Sequence, residues 1–185
     1  MIILMGISGV GKSVQGQLFT NDGKYSWVSV GNLVRQKMDG EAKKNILRGE
    51  LLNDQQIIEL VQNVVSKSSH IDQEIVMDGF PRTVYQAKWL TEQIKKGKIR
   101  LTGIFFLHAS EEVVTKRLLS RGREDDRPEI IKKRFSQFKT KTVPITKFLK
   151  ENNIDIIDIN GDNNPQKVHQ DILRALQEIR VNNAD

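Results

Sequence analysis

Cysteine is absent from all 185 residues, which rules out a disulfide framework and a thiolate zinc site and points to a reducing compartment. No apolar run approaches the roughly 18 residues of a membrane span, and the opening Met-Ile-Ile-Leu-Met-Gly is too short and lacks the basic flank of a signal peptide. A soluble, cytoplasmic protein with no membrane partner is therefore expected. Only four prolines occur, and no Pro/Ser-rich tract, repeat or low-complexity segment divides the chain, so residues 1–185 are expected to form one domain. The histidines His70, His108 and His169 lack metal-ligand spacing and are read as structural, with no zinc expected. The formal charge of +6 suits either a nucleic-acid surface or a pocket for polyphosphates, and by itself it does not choose between them.

What the chain does contain is an alternation of short apolar runs with helical periodicity. Candidate strands are Ile2–Met5, Ser26–Val30, Glu74–Met77, Gly103–Leu107 and Ile154–Ile159. Between them, Ile57, Ile58, Leu60, Val61, Val64 and Val65 recur at helical spacing, as do Val168, Ile172, Leu173, Leu176 and Ile179. Strands separated by helices need crossovers, and right-handed crossovers put helices on both faces of a parallel sheet. A three-layer α/β/α fold with a five-stranded parallel sheet follows, with ligands bound beyond the carboxyl ends of the strands.

The first strand leads into Gly6-Ile7-Ser8-Gly9-Val10-Gly11-Lys12-Ser13, a complete GxxxxGK[ST] between strand and helix, as a P-loop requires. Glycines let successive backbone N–H groups turn toward phosphate oxygens, Lys12 reaches the β and γ phosphates, and the helix N-terminus adds a favourable dipole. An ordinary glycine-rich turn rarely supplies the strand and the Lys-Ser pair together. A P-loop GTPase would also carry a guanine-reading N/TKxD motif, and the sequence has none.

After the apolar Ile75–Met77 comes Asp78-Gly79-Phe80-Pro81-Arg82-Thr83-Val84-Tyr85-Gln86. This DGFPRTxxQ resembles the monophosphate-binding signature of the adenylate kinase and nucleoside monophosphate kinase family. Val30-Gly31-Asn32-Leu33-Val34-Arg35 resembles the family's TGDxLR, and Gly49 to Asp54 its GxLVxD. Arg117-Leu-Leu-Ser-Arg121-Gly-Arg123-Glu-Asp125-Asp126, followed by Arg134, resembles the lid and its flanks in the short form. The likeness extends over nearly the whole chain. It implies a P-loop fold with a monophosphate-binding helical segment at 30–66 and a short lid at 121–128, working as a monomer on ATP and AMP with Mg²⁺ and without nucleic acid.

The resemblance also implies roles. Gly9, Val10, Gly11, Lys12, Ser13 and Val14 would hold the ATP phosphates, and Asp78 would hold Mg²⁺ through water. Arg35 and Arg82 would grip the AMP phosphate, where a planar guanidinium fixes orientation as well as charge. Gln86 would read the AMP base, in a site completed by Val30, Gly31, Glu50, Leu51, Leu52, Gly79, Phe80 and Pro81. Arg117 would lie on the ATP adenine, while Arg121, Arg123 and Arg134 converge on the moving phosphoryl group. Lys12, Arg82, Arg121, Arg123 and Arg134 form the catalytic set. On spacing alone Arg35 and Arg117 read as solvated helix charges, Gln86 as surface, and Asp125 and Asp126 as possible metal ligands. The family context makes the two aspartates lid residues that pair with arginines.

The sequence also departs from the family pattern. In place of GxPGxGKGT it has Ser8 for the proline, Ser13 for the second glycine and Val14 for the threonine. Val30 replaces a threonine or serine, and Asn32 an aspartate. Ser13 is either a ligand of Mg²⁺, as in other P-loop proteins, or a small residue tolerated at the helix start. Thr83 and Gln86 favour AMP as acceptor, with UMP/CMP or another nucleoside monophosphate as the alternative. A non-catalytic P-loop protein binding nucleotide or RNA is a weaker rival.

Overall fold

The computed structural model describes residues 1–37, 40, 44, 45, 48, 52–68 and 72–182. Among them, β1 (Ile2–Met5), β2 (Tyr25–Ser29), β3 (Glu74–Asp78), β4 (Gly103–His108) and β5 (Ile156–Asn160) form one sheet in the order β2-β3-β1-β4-β5. Every pairing is parallel, with Leu4 opposite both Asp78 and Phe105. The helices are α1 (Lys12–Thr20), α2 (Val30–Lys37), α3 (Asp54–Ser68), α4 (Val84–Lys95), α5 (Glu111–Arg121), α6 (Pro128–Gln137), α7 (Val143–Glu151) and α8 (Pro165–Asn182).

Side-chain alternation along β1 divides the core. Ile2 and Leu4 face one way, with Phe19 of α1, Leu118 of α5, Phe135 of α6 and Ile172 of α8. Ile3 and Met5 face the other, with Val34 of α2, Ile58 of α3, Leu90 of α4 and Leu149 of α7. Both faces of the central strand are buried, as a parallel sheet covered twice requires. The expected three layers and five parallel strands are present.

Only β1 has the limits expected from the sequence; β2, β3, β4 and β5 each differ by one or two residues at one or both ends, and two of these differences have a local cause. Val30 opens a helix, because the Ser29 hydroxyl accepts from the Asn32 backbone N–H at 3.4 Å and turns the chain one residue early. Ile154 precedes β5. Asn153 sits at φ 57, and the Ile154 N–H donates back to Leu149 O at 3.0 Å, so this residue closes the end of α7. Leu173 was expected on the covered face of α8 but is 40% exposed, while Val168, Ile172 and Leu176 are buried. One turn of π-helix, Phe138–Thr142, joins α6 to α7.

Candidate functional site

The carboxyl ends of β1 and β3 open into a cavity of about 600 Å³. Leaving β1, the chain takes positive φ at Gly6, Gly9 and Gly11 before α1 begins. At Gly9 a side chain is excluded by contact as well as conformation, since a Cβ would lie 2.7 Å from Leu118. The loop folds back on Lys12, whose Nζ donates to Gly6 O and Ile7 O at 2.8 Å each. Burial is the main reason that the Lys12 ammonium falls to about 8. Asp78 opposes the shift, while Arg82 and Arg121 add to it.

Every site residue of the sequence reading that falls among the described residues lines this one cavity, with Val30, Gly31, Arg35, Leu52 and Gln86 on the side facing α2 and α3. Glu50, Leu51 and His70 lie outside the described residues. Lys12 and six arginines line the cavity against two carboxylates, Asp78 and Asp125. The excess of positive charge is written into its titration. Arg82 is lowered first by burial and then by Arg134, with Asp78 opposing. Arg35 is lowered to about 10 by partial withdrawal from water and by Arg123. Such a pocket is built for polyanions.

The acceptor side rests on short local contacts. Arg82 Nε donates to Gly79 O at 2.9 Å, and Arg35 Nη2 to Asn32 Oδ1 at 2.7 Å. The Gln86 amide accepts from the Arg82 N–H at 2.7 Å and donates to Asp54 at 2.8 Å.

Between α5 and α6, Gly122 caps in the left-handed conformation at φ 65, and Pro128 starts the next helix after a short turn. Asp125 and Asp126 are buried and bind arginines. Arg121 holds Asp126 through two bonds of 2.8 and 2.6 Å, and Arg134 bonds both Asp125 and, at 2.9 Å, Asp126. Burial raises the Asp126 carboxyl, but its hydrogen bonds and attraction to Arg121 and its contact with Arg134 win, and its pKa is lowered. The Arg121 and Arg134 guanidinium groups are thus held by carboxylates as well as by the fold, and Arg123 is tied to the same Asp126 through its backbone N–H at 3.2 Å.

Arg117 is engaged with backbone carbonyls. Its guanidinium donates to Val10 O at 3.2 Å and Gly161 O at 2.8 Å, with longer bonds of 3.4 Å to Asp162 O and Asn163 O. It ties the loop after β5 to the P-loop. Two further residues that line the cavity, Gln15 and Thr142, were passed over in the sequence reading. Gln15, 2% exposed, donates to Pro165 O at 2.9 Å and meets His169 at 3.1 Å. Thr142, in the π turn, donates to Arg82 O at 3.2 Å. These contacts join segments 60 to 154 residues apart, and no local pattern marks them.

Among the described residues, no three His, Cys, Asp or Glu side chains are grouped to hold a metal. The oxygen donors beside the P-loop are Ser13 and Asp78, with Ser13 Oγ donating to Asp78 Oδ2 at 2.7 Å. A hydroxyl and one carboxylate fit a hard cation that arrives already bound to phosphates, since Mg²⁺ takes few protein ligands and keeps its waters. No helix among the described residues is long and apolar enough to cross a membrane.

The family model for adenylate kinase matches residues 4–154. Adenylate kinase 2 of Nostoc sp. is 33% identical over 181 residues, covering 95% of this chain and 97% of that protein. Adenylate kinase of Prochlorococcus marinus is 33% identical over 182 residues, covering 95% and 97%. Adenylate kinase of Leptospira biflexa is 32% identical over 185 residues, covering 95% and 98%.

Proposed function

The chain belongs to the adenylate kinase family, and from that premise we propose that it transfers the γ-phosphoryl group of Mg-ATP to AMP, giving two ADP. The observation that carries the proposal is the single cavity in which Lys12, Arg82, Arg121, Arg123 and Arg134 meet between the P-loop and the Arg35–Gln86 side. A hydrolase needs no second nucleotide site of this kind.

ATP enters along the P-loop, its phosphates against the backbone of Gly9–Val14 and Lys12. AMP lies with its phosphate at Arg35 and Arg82, and its base among Val30, Gly31 and Leu52 with Gln86 at the edge. From the 30–66 segment, Val30, Gly31, Val34, Arg35, Leu52 and Ile57 supply the acceptor wall, with Gly79–Pro81 as its floor. Transfer needs no side-chain nucleophile. In-line attack by an AMP oxygen spreads negative charge over the moving phosphoryl group, and the preorganised cations stabilise it. Mg²⁺ bound with ATP supplies charge neutralisation at the β and γ phosphates, and Ser13 and Asp78 are the residues that would hold it. Arg121 and Arg123 move with the 121–128 lid, whose closure excludes the competing water, and Arg134 meets the lid from α6 through Asp125 and Asp126. Arg117 keeps the loop after β5 against the P-loop and so shapes the ATP base site. One chain carries all these parts, which supports action as a monomer, and the cysteine-free composition supports the cytoplasm.

The acceptor is tested by a coupled assay with ATP and each of AMP, CMP, UMP, GMP and dAMP. AMP is expected to exceed CMP and UMP by at least about tenfold in kcat/KM, a difference that one well-placed amide can supply. Equal use of CMP and AMP would overturn AMP as the acceptor.

A further inference from the structure

The Gln86 amide is held from two sides by groups that permit one orientation. Its Oε1 accepts from the Arg82 backbone N–H at 2.7 Å, and its Nε2 donates to Asp54 Oδ1 at 2.8 Å. A backbone N–H can only donate, and an ionised carboxylate can only accept, so turning the amide over would set donor against donor and acceptor against acceptor. Gln86 is 2% exposed, and water cannot easily repair such a mismatch. Asp54 Oδ1 also accepts from Thr83 Oγ1 at 2.9 Å. The Thr83 hydroxyl in turn accepts from the Gln86 N–H at 3.2 Å and caps α4. Asp54 opens α3, so one carboxylate fixes the amide and ties α3 to the start of α4.

These anchors leave unused one Nε2 hydrogen and one Oε1 lone pair. The order of those two free positions is set by the anchors. A carbonyl that accepts beside an N–H that donates is complementary to a 6-aminopurine, whose amino group donates and whose N1 accepts. A 6-oxopurine reverses both, with a carbonyl that accepts and an N1–H that donates. The two bases have nearly the same size and shape, so packing against Val34, Leu52 and Ile57 along the cavity wall distinguishes them poorly. Polarity of the amide is what remains.

Building on the reading of Gln86 as the residue at the AMP base, we infer that Asp54 is a positioning residue for acceptor choice: it orients the Gln86 amide so that a 6-aminopurine monophosphate is taken and a 6-oxopurine monophosphate is refused. Asp54 touches neither substrate. It acts through Gln86, with Thr83 as the second group on the same oxygen.

The test compares kcat/KM for AMP and for IMP, together with the KM of ATP, in the parent, Gln86→Ala, Asp54→Ala and Asp54→Asn proteins. Alanine is the best helix former, and position 54 is in a partly exposed first turn, so the Asp54→Ala chain keeps its fold, checked by circular dichroism. Mispairing a buried amide costs a large factor, and the parent is expected to favour AMP over IMP by about a hundredfold or more. Asp54→Ala should lower that ratio at least about tenfold while the KM of ATP stays within about twofold, because the released amide turns to suit either base. Asp54→Asn keeps a carbonyl oxygen for Thr83 and Gln86 and should restore most of the ratio. An Asp54→Ala protein that loses AMP and IMP turnover in equal proportion, or keeps the parental ratio while Gln86→Ala loses it, would overturn the role of Asp54 and leave the reading of Gln86 standing. A parent that uses IMP as well as AMP, or a Gln86→Ala protein with the parental ratio, would overturn the reading of Gln86 itself.

Discussion

Replacing Lys12 with Met keeps the length and the apolar stem and removes one charge from the floor of the cavity. The lysine is 7% exposed and donates to Gly6 O and Ile7 O, so its ammonium is aimed by the loop before any nucleotide arrives. Loss of one preorganised donor from a closed site costs about 2.7 to 4 kcal/mol of transition-state stabilisation, a fall in kcat/KM of roughly a hundredfold to a thousandfold. Stability should move the other way. A value of about 8 in the folded chain against 10.5 in a free lysine means that burying the charged form costs about 3 kcal/mol below pH 8. That cost disappears as pH rises from 8 to 10.5, because the unfolded chain then holds the proton that the folded chain has released. Two lost hydrogen bonds offset about 2 kcal/mol of the gain from removing the charge. At pH 7 the Lys12→Met protein should melt no lower than the parent, and by about pH 10.5 it should melt lower. Initial rates of ADP formation and thermal melts at the two pH values make the test. A kcat/KM within tenfold of the parent would refute the placement of the phosphates, and a deficit in melting temperature that is the same at both pH values would refute the charge-burial argument.

Ser13→Gly removes the hydroxyl that donates to Asp78. If Ser13 binds the metal, half-saturation by free Mg²⁺ should rise several-fold while the KM of AMP stays put, and an unchanged Mg²⁺ dependence in the active variant would leave Ser13 as a small residue tolerated at a helix start. Gly16→Ala should destabilise the chain by about 1–3 kcal/mol, read by denaturant unfolding, because the new Cβ would lie 2.2 Å from the rigid Trp27 indole.

The parts of the site that the sequence announced are those whose chemistry is local. Lys12 follows its own glycines, and Arg82 and Gln86 lie within nine residues of Asp78 on one strand exit, so motif and geometry share a single stretch of chain. The sheet was legible for the same reason, since each strand is a short apolar run between periodic helices. Contacts between distant segments were not. Asp54 lies within the segment likened to GxLVxD, yet its bond to Gln86 crosses 32 residues, and only the packing of α3 beside α4 brings them together. Gln15 reads as a polar helix residue until Pro165 and His169 are seen beside it. The strand limits at Val30 and Ile154 failed because apolar residues continue past the strand, while a serine cap and a left-handed asparagine decide where the chain turns.

The central claim is that one cavity holds two nucleotides and passes a phosphoryl group between them rather than to water. Phosphorus NMR of the protein with equal ATP, AMP and Mg²⁺ follows both outcomes in one sample. The account predicts that each ATP consumed removes one AMP and yields two ADP, with inorganic phosphate at trace level until equilibrium. Release of one inorganic phosphate per ATP with AMP left intact would contradict it.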